Sequence, residues 1–411
     1  VNYEDTMTTV KQWDVITHNY LLDRNIVVPL NDKNKPDRAF VGGYVKDPKV
    51  GMSKWVVSFD LNSLYPHLIM QYNISPETLV TRLKDKVSID DLLVGGASQF
   101  GDYLDKTNCT IAANLCIYTK EKRGFLPSIM DRMYDDRTRY KKQMIKCKKE
   151  YEKTKDPRLV KEIARLDNMQ MAKKIQLNSA YGALGNKWFR WFDVNNAEAI
   201  TTSGQLSIRW IENKLNDYLN KLLKTENFDY VLASDTDSVY VTLEYLVKNV
   251  FGDDVPETKK VIQYIDKICK ERIEPFIDRS YQELAEYMHA YAQKMQMKRE
   301  NIADRGIWTA KKRYILNVWD SEGVRYAEPK LKMMGIEAVK SSTPAPCRKM
   351  IKDGLKIMMS GTEDEVIRFI DKCLQEFKSL PPEQIAFPER HLMSVNIIHH
   401  QIFTHPKLQF M

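Results

Sequence analysis

Two rhythms of apolar and polar residues alternate along this chain. The run 54–59, with Trp55, Val56, Val57 and Phe59 around Ser58, reads as a short buried strand. Residues 229–233 and 239–243 alternate apolar and polar on either side of 234–238, which predicts a β-hairpin. A second hairpin is predicted over 312–319 and 324–332, turning at Ser321-Glu322-Gly323. Helical spacing dominates elsewhere. It predicts a short helix over 8–21 and a helix whose first position is Pro66, where a missing N–H costs nothing. Residues 84–126 are mixed, with short helices expected over 85–93 and 100–104. Two long helical stretches follow, 127–153 and 158–184, joined by the turn Thr154-Lys155-Asp156-Pro157. Each has ~25 residues and, at ~1.5 Å per residue, is ~38 Å long, so together they make an antiparallel helical hairpin that projects as an arm. A third long helix is expected over 196–224. Its stripe of Ala199, Leu206, Ile208, Trp210, Ile211, Leu215, Leu219 and Leu222 reads as ordinary core packing. Helices are expected to fill 256–298, and two more, 344–359 and 363–377, close the chain. No internal repeat or low-complexity block interrupts this order.

The length, 411 residues, exceeds what one core supports, so two or three subdomains are expected. With 43% hydrophobic and 29% charged residues, a disordered chain is excluded. No run approaches the ~20 apolar residues of a membrane span, and no secretory signal leads the chain. The first residue is Val1 rather than methionine, so a piece of a longer protein is expected. Six cysteines without CxxC spacing argue against zinc and thioredoxin-like chemistry and fit reduced, scattered thiols. His399-His400 reads as a solvated stretch of the tail rather than a metal site. The net charge of +8 is unevenly spread: residues 127–190 hold 17 lysines and arginines against 8 acids. Such a run has a plain reading as a solvated helical face. Beside the residues below, a polyanionic partner explains it better.

Asp60 ends the apolar strand 54–59, and Asp235-Thr236-Asp237 sits in the turn of the first predicted hairpin. An Asp-rich turn alone can serve local hydrogen bonding. Two strand ends carrying carboxylates suit a different chemistry. Magnesium takes oxygen ligands and keeps water and phosphate in its shell, and two such ions ~3.5–4 Å apart clamp an in-line phosphoryl displacement. Asp60 and Asp237 are the expected bridging pair, with Asp235 as a supporting carboxylate. The amides of Asn62, Ser63 and Leu64, at a turn into a helix, would hold a triphosphate, with the Ser63 hydroxyl as a further donor. Tyr65 would lie beneath the sugar and exclude a 2′-hydroxyl; the competing reading is a core plug. Arg137 and Lys141 share one face of the first arm helix, and Lys174, Asn178 and Tyr181 share one face of the second. Arg137, Lys141 and Lys174 thus suit a β/γ-phosphate tail. Tyr181 followed by Gly182 offers a floor for a stacked base pair. Lys311-Lys312-Arg313-Tyr314 reads either as a charged sheet edge or as a nucleic-acid phosphate contact.

Taken in order, Asp60-Leu61-Asn62-Ser63-Leu64-Tyr65-Pro66, Lys174 with Asn178-Ser179-Ala180-Tyr181-Gly182, Asp235-Thr236-Asp237-Ser238 and Lys312-Arg313-Tyr314 resemble motifs A, B and C and the following basic motif of family B DNA polymerases. The replicative polymerases of T-even-like tailed phages are the most similar, and the resemblance runs from about residue 10 to 380. It implies an α+β right-hand fold with an antiparallel-sheet palm, a two-helix fingers arm and a partial thumb. The implied division is 1–50 as the trailing edge of an N-terminal exonuclease region, 51–126 and 191–335 as palm, 127–190 as fingers, and 336–411 as partial thumb and divergent tail. The implied activity is DNA-templated, primer-dependent addition of dNTPs with two Mg²⁺ ions, Mn²⁺ being a substitute. The Leu61 carbonyl joins the implied metal shell, Tyr65 is the implied sugar gate, and Lys174, Arg137 and Lys141 the implied triphosphate ligands.

The implied partners are primer-template DNA and dNTPs, together with a separate exonuclease or thumb-containing polymerase part and a sliding clamp. The implied setting is the host cytoplasm, without a membrane. Two local departures stand out: Ala233-Ser234 where the family usually has Tyr-Gly, and His67 where a small residue is common. Neither removes a metal ligand, so activity is expected to survive both. No Asp-x-Glu metal motif precedes Asp60, so an upstream 3′→5′ exonuclease is expected to be absent, with no proofreading and low processivity. The tail from about Pro381, and 391–411 above all, does not read as family thumb. The rival readings are a non-catalytic DNA-binding subunit or scaffold of a split polymerase, and an RNA-synthesising enzyme, against which Tyr65 argues.

Overall fold

The computed structural model describes residues 8–32, 35, 38–252 and 257–387, so His399-His400 and the tail segment 391–411 lie outside the described residues. In chain order, α1 (Thr9–Leu22) precedes β1 (Gly51–Leu61) and α2 (Leu64–Gln71). A small region follows, with β2 (Leu79–Arg82), α3 (Ile89–Leu93), α4 (Gly101–Thr107), β3 (Cys109–Ile111) and β4 (Cys116–Thr119). Then come the long helices α5 (Phe125–Thr154), α6 (Pro157–Leu184) and α7 (Val194–Leu223) and the hairpin β5 (Val231–Asp235) and β6 (Ser238–Thr242). The rest is α8 (Glu244–Phe251), α9 (Thr258–Ile268), α10 (Glu274–Tyr287), β7 (Met297–Ala310), β8 (Arg313–Ser321), β9 (Val324–Met334), α11 (Ala345–Ser360), α12 (Glu363–Ser379) and α13 (Pro382–Ile385). Helices and antiparallel strands occur together, as an α+β reading requires.

The chain forms two compact units, one of residues 1–46, 58–241 and 266–299, the other of 47–57, 242–265 and 300–411. In the first unit, α7 is the central helix. It buries Ala199, Leu206, Ile208, Ile211, Leu215 and Leu219, and each fully buried leucine or isoleucine among them contributes ~1.5–3 kcal/mol. Trp210 donates its indole N–H to the Ser280 carbonyl at 2.9 Å. Leu222 departs from the expected stripe: it is 49% exposed, and Leu223 takes the buried place. The helical arm is capped at its turn by Asp156, whose carboxylate accepts from the Arg158 amide at 2.9 Å, with Pro157 as the first residue of α6. Lys173 on α6 pairs with Asp136 on α5 at 3.4 Å.

Helix α1 buries Trp13, Thr17 and Leu21 on one face. The Trp13 indole donates to Ser179 Oγ on α6 at 3.1 Å, and Arg190 pairs with Asp14 at 2.9 Å. Trp13 is 1% exposed, so Trp13→Ala is expected to destabilise this unit by ~3–5 kcal/mol in denaturant unfolding.

In the second unit, β7, β8 and β9 form an antiparallel meander from Glu300 onward. Ile315, Ile336, Ala338 and Met359 make a small core there, covered by Ile351 and Leu355 of α11.

Several expectations need correction. Helix α2 begins two residues early, so Pro66 is its third residue rather than its first. Strands β2, β3 and β4, a three-stranded antiparallel sheet in the order β2-β4-β3, were not expected; with three or four residues each they carry too little alternation to register. The helices expected over 256–298 stop at Tyr287, and β7 begins at Met297. Its charged residues Lys298, Arg299, Glu300, Asp304 and Arg305 hid the strand pattern.

Candidate active site

The hairpin of β5 and β6 is tighter than its sequence suggests. Asp235 still belongs to β5 and pairs with Ser238, leaving Thr236 and Asp237 as a two-residue turn. Thr236 has φ +57°, and the Asp237 amide reaches back to the Asp235 carbonyl at 2.6 Å. The end of β1 lies against this turn: the Leu61 amide donates to the Asp237 carbonyl at 2.8 Å. That bond puts Asp60 and Asp237 on adjoining chain segments. Asp60, Asp235 and Asp237 are all half-buried. Thr236 Oγ1 donates to Asp235 Oδ1 at 3.1 Å, so part of that carboxylate is already engaged.

Among the described residues, no group of three or more His, Cys, Asp or Glu gathers as a metal cluster. The donor set still fits a hard cation. Two carboxylates with the neighbouring carbonyls suit an ion that completes its shell with water and phosphate oxygens.

Beyond Asp60 the chain turns sharply. Ser63 has φ +47° and caps α2. Of the three amides expected to face a triphosphate, that of Asn62 is spent: it donates to the Gln296 carbonyl at 3.0 Å. The Ser63 and Leu64 amides, at the start of α2, have no carbonyl of their own helix to bond. Ser63 Oγ accepts from Arg137 Nη1 at 3.2 Å. Arg137 Nε is buried without a partner, an uncompensated donor. Lys141, Lys174 and Asn178 are exposed on the arm.

The ring of Tyr65 lies 4.6 Å from that of Tyr181, centroid to centroid and tilted by 47°. Burial pushes the Tyr65 hydroxyl up to about 12, helped by Tyr181 and by the carboxylates of Asp237 and Asp235. It is therefore an uncharged ring beside both acids. Gly182 is open on its Cβ side.

The structure also assembles groups that sequence reasoning missed. Residues 42–46 lie along the carboxylate turn: the Tyr44 carbonyl accepts from the Thr236 amide at 2.9 Å, and the Lys46 amide donates to the Ser234 carbonyl at 3.1 Å. Lys46 Nζ pairs with Glu212 at 2.6 Å and Asp229 at 2.8 Å. Burial pulls the Lys46 ammonium down, but its bonds to Asp229 and Glu212 more than offset this and hold it above its ordinary value. The only sequence signal was the pair Gly42-Gly43.

The family model described as DNA polymerase family B matches residues 10–395. The chain belongs to DNA polymerase family B. It is 35% identical over 94% of its length to the DNA-directed DNA polymerase of Escherichia phage RB69, covering 47% of that protein. It is 33% identical over 93% of its length to the DNA-directed DNA polymerase of Enterobacteria phage T4, covering 47% of it. DNA polymerase 1 of Pyrococcus abyssi is 27% identical over 91% of the chain, which covers 40% of that protein. The chain thus spans about half the length, or less, of the curated relatives it matches.

Both local departures of this family B chain find places in the fold. Ser234 is 1% exposed, and its Oγ lies 3.4 Å from Glu212 Oε2. It is not among the residues with positive φ, so the backbone there does not require glycine. His67 is buried with Nδ1 3.0 Å from the Ser63 carbonyl, and Tyr134 packs edge-on at 4.5 Å. Burial lowers its pKa, so the neutral ring donates from Nδ1 and braces the Ser63 turn.

The basic cluster lies in the second unit. Lys311 and Lys312 form the turn between β7 and β8, with Lys312 at φ +60°. Lys311 pairs with Asp47 at 3.0 Å and Arg313 with Glu337 at 2.6 Å. Tyr314 is 5% exposed and stacks on Trp308 at 5.9 Å. It is a core residue with no open face for DNA, which removes it from the expected contact set. Among the described residues no helix is long and apolar enough to cross a membrane.

Proposed function

We propose that this chain performs DNA-templated, primer-dependent addition of dNTPs, with a palm built around β1, β5 and β6, a fingers arm of α5 and α6, and a partial thumb containing α11 and α12. The carrying observation is the 2.8 Å bond from the Leu61 amide to the Asp237 carbonyl, which sets two carboxylate-bearing chain segments side by side. Asp60, Asp237 and the Leu61 carbonyl would hold divalent cations, Mg²⁺ or Mn²⁺. When bound, two such ions neutralise charge on the transferring phosphoryl group and polarise the attacking and leaving oxygens.

The chain's own residues do the rest. The Ser63 and Leu64 amides and Arg137 receive the triphosphate; Lys141 and Lys174 add charge from the arm. Ser63 Oγ orients Arg137 before substrate arrives, so the guanidinium is pre-aimed at low entropic cost. Asn178 and Tyr181 line the nucleotide side of α6. Lys311, Lys312 and Arg313 contact phosphates of primer-template DNA, the backbone readout that positions a duplex without reading sequence. A sliding clamp and a separate exonuclease or thumb-containing part are the proposed protein partners, and the host cytoplasm the proposed setting.

The test is primer extension by the purified chain with primer-template, dNTPs and Mg²⁺. Extension supports the reading; binding of DNA without extension supports a scaffold instead. Tyr65 supplies a second, sharper check. Tyr65→Ala is expected to raise rNTP incorporation relative to dNTP by at least about tenfold, because the ring that rejects a 2′-hydroxyl is gone. An unchanged ratio in single-nucleotide incorporation would undo the gate assignment.

A further inference from the structure

We propose that Gly43 is a specificity-determining positioning residue, through which the segment 42–46 sets the seat of Tyr65 and the strained turn that carries Asp237. The proposal rests on the polymerase reading above and goes beyond its list of substrate-facing groups.

The segment is anchored along its length. Gln205 Nε2 donates to the Gly42 carbonyl at 2.5 Å. Val45 bridges to Asp235, and the Tyr44 and Lys46 backbones bond Thr236 and Ser234. Lys46 fixes the far end through Glu212 and Asp229. Between these anchors, Gly43 presents a bare Cα. A Cβ there would stand 3.0 Å from Thr236 Oγ1, 3.1 Å from Thr236 Cγ2 and 3.2 Å from the Tyr65 hydroxyl. No conformational need explains this glycine, since its φ is not positive. Close approach does.

Thr236 carries the second observation. A β-branched residue at φ +57° is a genuine outlier, and such strain persists only where surroundings over-determine it. Here the amide is held by the Tyr44 carbonyl, Oγ1 by Asp235, and the side chain lies against Gly43. The same backbone atom therefore limits the carboxylate turn on one side and the sugar-facing ring on the other. An added methyl must push one or both by a few tenths of an ångström.

The experiment measures kcat/KM for dNTP and rNTP in single-nucleotide incorporation by the full 411-residue chain. Gly43→Ala is expected to lower the dNTP/rNTP ratio about fivefold, scaled from the ~10²-fold effect of a ~1 Å misplacement. In a Tyr65→Ala background the same substitution is expected to leave the ratio where Tyr65→Ala alone put it. A folded Gly43→Ala chain with the parental ratio overturns the proposal, as does the same fivefold change without the Tyr65 ring. If Gly43→Ala does not fold, Gly43→Ala with Thr236→Gly removes the two shortest contacts and keeps the Tyr65 one. That double variant must show the lowered ratio; a folded double variant with the parental ratio also overturns the proposal. A parent chain that extends no primer sinks the polymerase reading itself and this inference with it, an outcome separate from every variant result.

Discussion

Asp237→Ala abolishes primer extension, with an expected loss in kcat of at least about 10³-fold, while DNA binding in a gel-shift titration is retained. Removing one electrostatic group at a reacting centre typically costs ~10²–10³-fold. Asp237 is asked for more, because in the proposed site it is one of only two carboxylates that would bridge the metals. The backbone supports the separation of roles. The 2.8 Å bond from Leu61 uses the Asp237 carbonyl and the bond to Asp235 uses its amide, so alanine keeps both of these backbone bonds. Retained binding with lost extension separates catalysis from scaffold. Loss of both, with a lowered melting temperature, would point to a structural role for Asp237 and against the proposed site.

Arg137→Ala is expected to reduce kcat/KM for dNTP by ~10²-fold, close to ~2.7 kcal/mol of transition-state stabilisation. Its guanidinium bonds Ser63 through Nη1 and leaves a buried Nε without a partner. A buried donor of this kind is costly until an acceptor arrives, and a triphosphate oxygen would be that acceptor. Arg137→Lys is expected to recover little, since a point charge cannot span Ser63 and a phosphate together. Lys141→Ala should cost less, because Lys141 is exposed to solvent. An Arg137→Ala chain with parental kcat/KM would place the phosphate elsewhere.

The elements that were legible share a cause. Helices α5, α6 and α7 have 28 to 30 residues each, and over such lengths a 3.6-residue stripe repeats often enough to mark both ends within about two residues. The hairpin of β8 and β9 announced itself through Ser321-Glu322-Gly323, where Glu322 and Gly323 take positive φ. Illegible elements lacked that repetition: β2, β3 and β4 are too short, and the charges of β7 masked its alternation.

The candidate site divides in the same way. Asp60, Asp235, Asp237, Tyr65, Arg137 and Lys174 could be nominated as candidates because their chemistry and their local context, a strand end or one helix face, lie within a few residues of one another. Chain order alone was therefore enough to specify the family and the long helices, and to nominate the residues proposed for the site. Only tertiary structure showed that the Asn62 amide is spent on Gln296, that Tyr314 is packed on Trp308, and that Gly43 lies against Thr236 and Tyr65. These are contacts between segments distant in sequence. They depend on which backbone groups the fold has already paired and on ångström-scale clearances, neither of which leaves a periodic trace along the chain.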